Sequence, residues 1–274
     1  MVVRTSSWPV GTPCWVDIST DVDRAVAFYG GLFGWVFDIA GPEYGGYGVA
    51  LKNDHPVAGI GPKQDPDQPS EWTTYLATED VAASVQAVTD AGGQVAFGPM
   101  VVGDKGTMAI AVDPVGVLFG LWQSGTNTGV DLADEPGSLV WNEHLSGDVT
   151  TAKDFYAKVF GCTYSEVEGA DDYFAIEVRG AEQPVGGIGA GAGGWQTYFQ
   201  VADADAAAEK VEALGGTIAD EPVDTPYGRM VKAADDQGST FFIIGVPTVT
   251  LGSGSGDRLP DRSSGVVTGR VVRP

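Results

Sequence analysis

Trp15 and Asp17 stand two apart in the run Trp15-Val16-Asp17-Ile18-Ser19, and Trp141 and Glu143 repeat that spacing in Trp141-Asn142-Glu143-His144-Leu145. Side chains alternate across a strand, so each pair would set an indole and a carboxylate on one face. Burial against an indole raises a carboxyl pKa toward neutrality, where it can serve as a general acid or base. The same surface also suits a flat, largely apolar ligand with one polar handle. A structural reading stands beside these: the tryptophans fill core space, and a neighbouring Tyr or Trp N–H satisfies each carboxylate.

The elements that must hold these pairs recur along the chain. Phe28-Tyr29 and Leu32-Phe33-Gly34 return as Phe155-Tyr156 and Val159-Phe160-Gly161. Pro56 to Gly61, Trp72 to Tyr75, Ala91-Gly92-Gly93 and the Asp113-Pro114-Val115-Gly116 turn return in the same order, which marks a duplication. Each copy holds two similar halves, in which a strand passes through an acidic turn into a helix and further strands follow. In the first copy Trp15 to Ser19 reads as a strand, Asp21 as a helix cap and Gly34 as the helix end. Thr73 to Thr78 is the next strand, Asp80 the next cap and Val81 to Ala91 the next helix. Strands Met108 to Val112 and Val117 to Trp122 close the copy. The expected fold is α+β: a first module over 8–123, a polar linker over 124–137, a second module over 138–247 and a flexible tail over 248–274.

The opening Pro13-Cys14-Trp15-Val16-Asp17 with Phe28-Tyr29 and Leu32-Phe33-Gly34-Trp35, and the closing Asp-Pro-x-Gly turn, resemble the vicinal-oxygen-chelate (glyoxalase/bleomycin resistance/extradiol dioxygenase) superfamily. The resemblance covers roughly residues 10 to 245. It implies two glyoxalase-like modules, each a cup-shaped half-barrel of paired βαβββ units. It implies no single activity, since that superfamily includes isomerases, ring-cleaving dioxygenases, thiol transferases and drug-sequestering proteins. Its metal-using members take ligands from three strands. The matching positions here are Trp15 (or Cys14), Thr73 and Gly120, then Trp141, Gln196 and Phe242, which form no hard-metal ligand set. No metal and no cofactor are therefore expected.

If Val16 and Ile18 pack under the helix, the first cup is lined by Trp15, Asp17, Thr73, Tyr75 and Trp122. The second is lined by Trp141, Glu143, Gln196, Tyr198 and Phe242, while Tyr44, Tyr47 and Tyr173 form rims. His144 takes the place of Ile18 and faces the helices; His55 sits in an exposed turn. Cys14 and Cys162 are read as reduced thiols. The glycine-rich run at 186–191 lacks the strand–helix–Lys context of a phosphate loop and marks a bulged or tightly packed strand end. A net charge of −22 disfavours nucleic acid and anionic membranes as partners. No apolar run approaches the roughly 18 residues of a membrane span, and the N-terminus lacks a signal peptide, so a cytoplasmic location is expected.

The reading placed first is metal-independent binding of a hydrophobic or aromatic small molecule in one or both cups. The alternatives are a lyase, isomerase or hydroxylase using Asp17 or Glu143 as acid or base, and an interaction protein with filled cups. The duplicated chain can pair its modules internally, so a monomer suffices for folding and a homodimer is the other possibility.

Overall fold

The computed structural model describes residues 4–246, apart from 42–44 and 66. Tyr44 and the expected tail over 248–274 lie outside the described residues.

Four βαβββ units follow one another. The first is β1 (Pro13–Thr20), α1 (Val22–Phe33), β2 (Val36–Ile39), β3 (Gly48–Lys52) and β4 (His55–Pro62). The second is β5 (Glu71–Thr78), α2 (Val81–Asp90), β6 (Gln94–Val102), β7 (Gly106–Val112) and β8 (Leu118–Ser124). The third is β9 (Leu139–Ser146), α3 (Val149–Phe160), β10 (Thr163–Glu166), β11 (Tyr173–Glu177) and β12 (Gly186–Ala190). The fourth runs β13 (Gly194–Val201), α4 (Ala204–Ala213), β14 (Thr217–Ile218), β15 (Val223–Thr225), β16 (Gly228–Ala234) and β17 (Thr240–Gly245), with β15 as an extra strand.

Each helix starts the same way. Asp21, Asp80, Asp148 and Asp203 accept hydrogen bonds from backbone N–H groups of the first helical turn that have no partner within the helix. Gly34 and Gly161 end α1 and α3 in the left-handed conformation.

Units one and two share a sheet of order β2-β3-β4-β1-β5-β8-β7-β6, and units three and four share one of order β10-β11-β12-β9-β13-β17-β16-β14, with β15 on β16. Neither sheet closes on itself. β1 and β5 run antiparallel at the centre of the first, as do β9 and β13 in the second. The two central strands thus bring the halves of each cup together.

The helix-side cores cross between modules. From α1, Phe28, Tyr29 and Phe33 pack edge-on or tilted against Phe241 of β17, and Phe33 also against Phe199 of β13. From α3, Phe155, Tyr156 and Phe160 pack against Phe119 of β8. Such pairs add about 0.5–1.5 kcal/mol each to the area they bury. Two matching polar clasps lie inside. Trp72 Nε1 donates to Tyr29 Oη (3.1 Å), which donates to Asp235 Oδ2 (2.9 Å). Trp195 Nε1 donates to Tyr156 Oη (2.9 Å), which donates to Asp113 Oδ2 (3.0 Å). His144 joins only the second clasp, 2.8 Å from Asp113 Oδ2, at the helix-facing position that Ile18 fills in the first module.

Two features differ from the sequence expectation. The connecting segment is polar in composition, yet Val130 and Leu132 are buried, Val130 N donates to Cys14 O (2.8 Å) and Trp35 Nε1 to Gly137 O (2.7 Å). It is anchored to both modules because its few apolar residues fall on the interface. His55 is not in the turn, which is Asn53-Asp54 in the left-handed region; it begins β4 and is half-buried.

Candidate active or binding site

The register of β1 and β5 brings the candidate residues into rows. Trp15 lies opposite Tyr75, and Asp17 opposite Thr73. In the second sheet Trp141 lies opposite Tyr198, and Glu143 opposite Gln196. Paired residues share a face, so these side chains point to the concave side while Val16, Ile18, Asn142 and His144 point to the interface.

The same four groups occupy both floors. Tyr75 Oη and Tyr47 Oη donate to Asp17 Oδ2 at 3.0 and 3.2 Å, and Trp15 Nε1 donates to Tyr47 Oη at 3.0 Å. In the second cup Tyr198 and Tyr173 hydrogen-bond Glu143, and Trp141 Nε1 donates to Tyr173 Oη at 3.1 Å. The glycines of β4 and β12 make room: a Cβ at Gly59 would collide with the Tyr47 hydroxyl, and one at Gly187 with that of Tyr173. The glycine-rich run at 186–191 is thus a tightly packed strand.

Burial raises the Asp17 carboxyl pKa to about 6, the two tyrosine hydrogen bonds pulling the other way. Both hydroxyls converge on Oδ2, and the residue keeps part of its surface open. Glu143 is raised for the same reason. Burial first, and the adjacent carboxylate second, hold all four tyrosines above their usual value, as neutral O–H donors.

The walls differ. In the first cup the row from Trp15 continues through Tyr75 and Gly120 to Ile110 and Phe97. The next row runs Ala77, Trp122, Met108, Met100. Phe97 is 52% exposed and Met100 40%, and Met108 and Ile110 are half-buried, so this apolar wall is partly open. In the second cup the row from Trp141 runs through Tyr198 and Phe242 to Lys232. Phe242 stacks on Tyr198 (4.4 Å between centroids, 12° between planes), and Lys232 Nζ lies 5.7 Å from the Phe242 ring centre.

Of the remaining expected site residues, Thr73 is half-buried beside Asp17, and Trp122 is buried with Nε1 donating to Asn127 O (3.0 Å). Gln196 turns its amide to Gly193 O (2.6 Å), so it braces a turn. Sequence reasoning missed Ile110, Met108, Phe97, Met100 and Lys232. Along β7 the residues alternate between two apolar faces, as in Met108-Ala109-Ile110-Ala111, so no polar alternation marks the cup side; β6 carries a bulged register.

The metal positions do not hold a donor set. Trp15, Thr73 and Gly120 in one cup, and Trp141, Gln196 and Phe242 in the other, offer no imidazole, thiolate or carboxylate. Among the described residues no three His, Cys, Asp or Glu side chains gather as a metal site would require. Cys14 and Cys162 are both buried free thiols, and burial pushes the Cys162 thiol up to about 12.

The family model for the Glyoxalase/Bleomycin resistance protein/Dioxygenase superfamily matches residues 18–121 and again 143–242. The chain belongs to this superfamily. Within it, the chain is 38% identical to "Putative glyoxylase CFP32" of Mycobacterium tuberculosis, over 88% of this chain and 97% of that protein. It is 34% identical to anthracycline biosynthesis protein DauV of Streptomyces sp. strain C5, over 85% and 93%. The Mn(II)-bound glyoxalase of Novosphingobium aromaticivorans shares the superfamily fold with a TM-score of 0.61 at 18% identity, covering 93% of this chain and 96% of that one. Among the described residues no helix is long and apolar enough to cross a membrane.

Proposed function

We propose that the cup of the first module binds a flat, largely apolar aromatic molecule without a metal ion. The observation that carries this reading is the partly open apolar wall of Ile110, Met108, Phe97 and Met100, which continues the rows that begin at Trp15 and Ala77. An exposed apolar patch inside a concavity marks a place where ring systems lose water. Asp17 then accepts from a ligand hydroxyl, and the Trp15–Tyr47–Tyr75 set holds the carboxylate in place. The kinship with a protein named for anthracycline biosynthesis favours a polycyclic, hydroxylated ligand. With its module interface internal, the chain acts as a monomer.

A second reading attaches to the same site. A carboxyl raised to about 6 exchanges its proton near neutral pH, so Asp17 can act as general acid or base on the bound molecule. The kinship with a glyoxylase-named protein favours this. Tryptophan fluorescence titrated with 1,8-dihydroxyanthraquinone tests the first reading: saturable quenching that Ile110→Lys removes is expected, and an unchanged response in that variant overturns it. Asp17→Asn separates the two, since binding retained with turnover lost assigns catalysis to Asp17.

A further inference from the structure

The chain has four methionines, and the three among the described residues, Met100, Met108 and Met230, all stand on the concave walls. Met100 lies opposite Met108 across β6 and β7, and Met108 opposite Trp122 across β7 and β8, so these side chains share one face. Met230 lies opposite Ile244 in the second cup, at the place Met108 holds in the first. Its neighbours change between the copies: Ile110 stands against Lys232, Trp122 against Ile244, and Met100 against Val223. Of these wall positions only the methionine is the same in both cups. Met100 is 40% exposed, and Met108 and Met230 are half-buried. The cysteines offer no competing sulfur. Cys14 and Cys162 are buried, and burial holds both thiols well above their ordinary range, in the protonated form. A dissolved peroxide therefore meets thioethers before any thiolate, and a thioether needs no deprotonation to react.

We infer that Met100 and Met108 form an oxidation site that closes the first cup to apolar ligands. The inference rests on the reading of that cup as a site for a flat aromatic molecule. The oxidant is hydrogen peroxide. A thioether lone pair attacks one peroxide oxygen, and the S–O bond forms as the O–O bond breaks. The departing hydroxide takes up the proton of the transferred oxygen and leaves as water. Sulfur is oxidised by two electrons, and the peroxide is reduced by two. The sulfoxide sets a strong hydrogen-bond acceptor in an apolar wall. Ile110 and Phe97 have no donor to give it, and Trp122 Nε1 is already committed to Asn127 O. A ring laid over that oxygen would strip its water without replacing the hydrogen bond. A thiol-dependent reductase reverses the change, two thiols becoming a disulfide as the oxygen leaves as water.

Millimolar hydrogen peroxide on the full chain, followed by peptide mass mapping and by equilibrium dialysis of 1,8-dihydroxyanthraquinone, tests this. The expected map shows one added oxygen at Met100 first and at Met108 next, with Cys14 and Cys162 unchanged. Affinity should fall about tenfold, the cost of covering one unpaired polar group. Methionine sulfoxide reductases with dithiothreitol should restore it. Met100→Leu/Met108→Leu conserves volume and removes both sulfurs. Whatever affinity that variant starts from, peroxide should leave it unaltered. Should the pair not fold, Met100→Leu alone should reduce the loss. Oxidation of both methionines with unchanged affinity overturns the proposal, as does an equal loss in the double variant or oxidation of either cysteine ahead of them. An untreated chain that fails to bind the dye overturns the cup reading instead, while the order of oxidation in the map still decides the site.

Discussion

In the first cup, the row that begins at Trp15 passes Tyr75 and Gly120 and ends on Ile110 and Phe97; in the second, the row from Trp141 passes Tyr198 and Phe242 and reaches Lys232. The carboxylate floors match group for group. The contrast separates what the fold needs from what a ligand would use. A tyrosine-clamped carboxylate repeated in both cups is accounted for by its own hydrogen bonds. The walls part in the tryptophan row, which ends on Ile110 and Phe97 in the first cup and on Lys232 in the second; the next row is apolar and partly open in both, through Met108 and Met100 in the first and Ile244, Met230 and Val223 in the second. In the second cup Phe242 stacks on Tyr198, and the Lys232 ammonium lies 5.7 Å from the Phe242 ring centre.

Exchanging the walls should break the comparison most sharply. Ile110→Lys places in the first cup the cation that borders the second. It is expected to weaken binding of 1,8-dihydroxyanthraquinone by about 100-fold, from lost apolar contact and a charge that must be desolvated. Equilibrium dialysis measures it, and Lys232→Ile in the second cup should leave that affinity unchanged. An equal loss from both would mean that the cups act together.

The floors can be compared by pH. Asp17 is raised from an ordinary 3.8 to about 6, so the folded state holds this proton more tightly than the unfolded chain does. Its contribution to stability is therefore complete below about pH 4 and is lost as pH rises through 6. Asp17→Asn lacks that loss. Its melting temperature relative to the parent should climb between pH 4 and 6.5 and then level off, by an amount corresponding to about 1–2 kcal/mol once solvent screening of a partly open group is allowed for. Glu143→Gln should behave in the same direction, since Glu143 is also raised. A flat difference for either variant would show that its carboxylate is not held as described.

Smaller again is the effect of thinning the clamp. Tyr47→Phe removes one donor to Asp17 and the acceptor of the Trp15 N–H. A loss of about 1–2 kcal/mol by urea unfolding is expected, with Tyr173→Phe matching it in the second cup. Finally, elemental mass spectrometry of protein purified without added metal should find no stoichiometric zinc, iron, nickel or manganese. A bound metal would mean that ligands other than the three family positions hold it.

Much of this architecture is legible along the chain. The aspartate caps, the Phe-Tyr pairs and the Asp-x-x-Gly turns act locally, so Asp21 and Asp80 mark the first two helices before any packing is known, and the structure shows Asp148 and Asp203 capping the other two in the same way. The Trp15–Asp17 half of the first floor was legible because β1 alternates, Val16 and Ile18 being apolar where Asp17 is not, and the second floor followed from the repeat. Tyr47 and Tyr173, read as rims, instead hydrogen-bond the floor carboxylates from β-hairpins whose reach no local pattern gives. The walls were not legible, because β7 is apolar on both faces and its cup side carries no signal. The crossing of the cores was equally hidden. Phe28 and Phe33 show that α1 has an apolar face, but nothing in their spacing says whether it packs on its own sheet alone or also on that of the other module.

Because α1 packs on β13 and β17 while α3 packs on β8, heat should melt both sheets together. A calorimetric trace of the chain should contain one endotherm whose van't Hoff and calorimetric enthalpies agree, where two autonomous domains would give two. Cleavage in the connecting segment should not separate the pieces, since each would otherwise expose the phenylalanines that the other covers. In that respect the chain behaves as an obligate dimer whose partner is supplied at unit stoichiometry by translation itself, independent of how dilute the protein becomes.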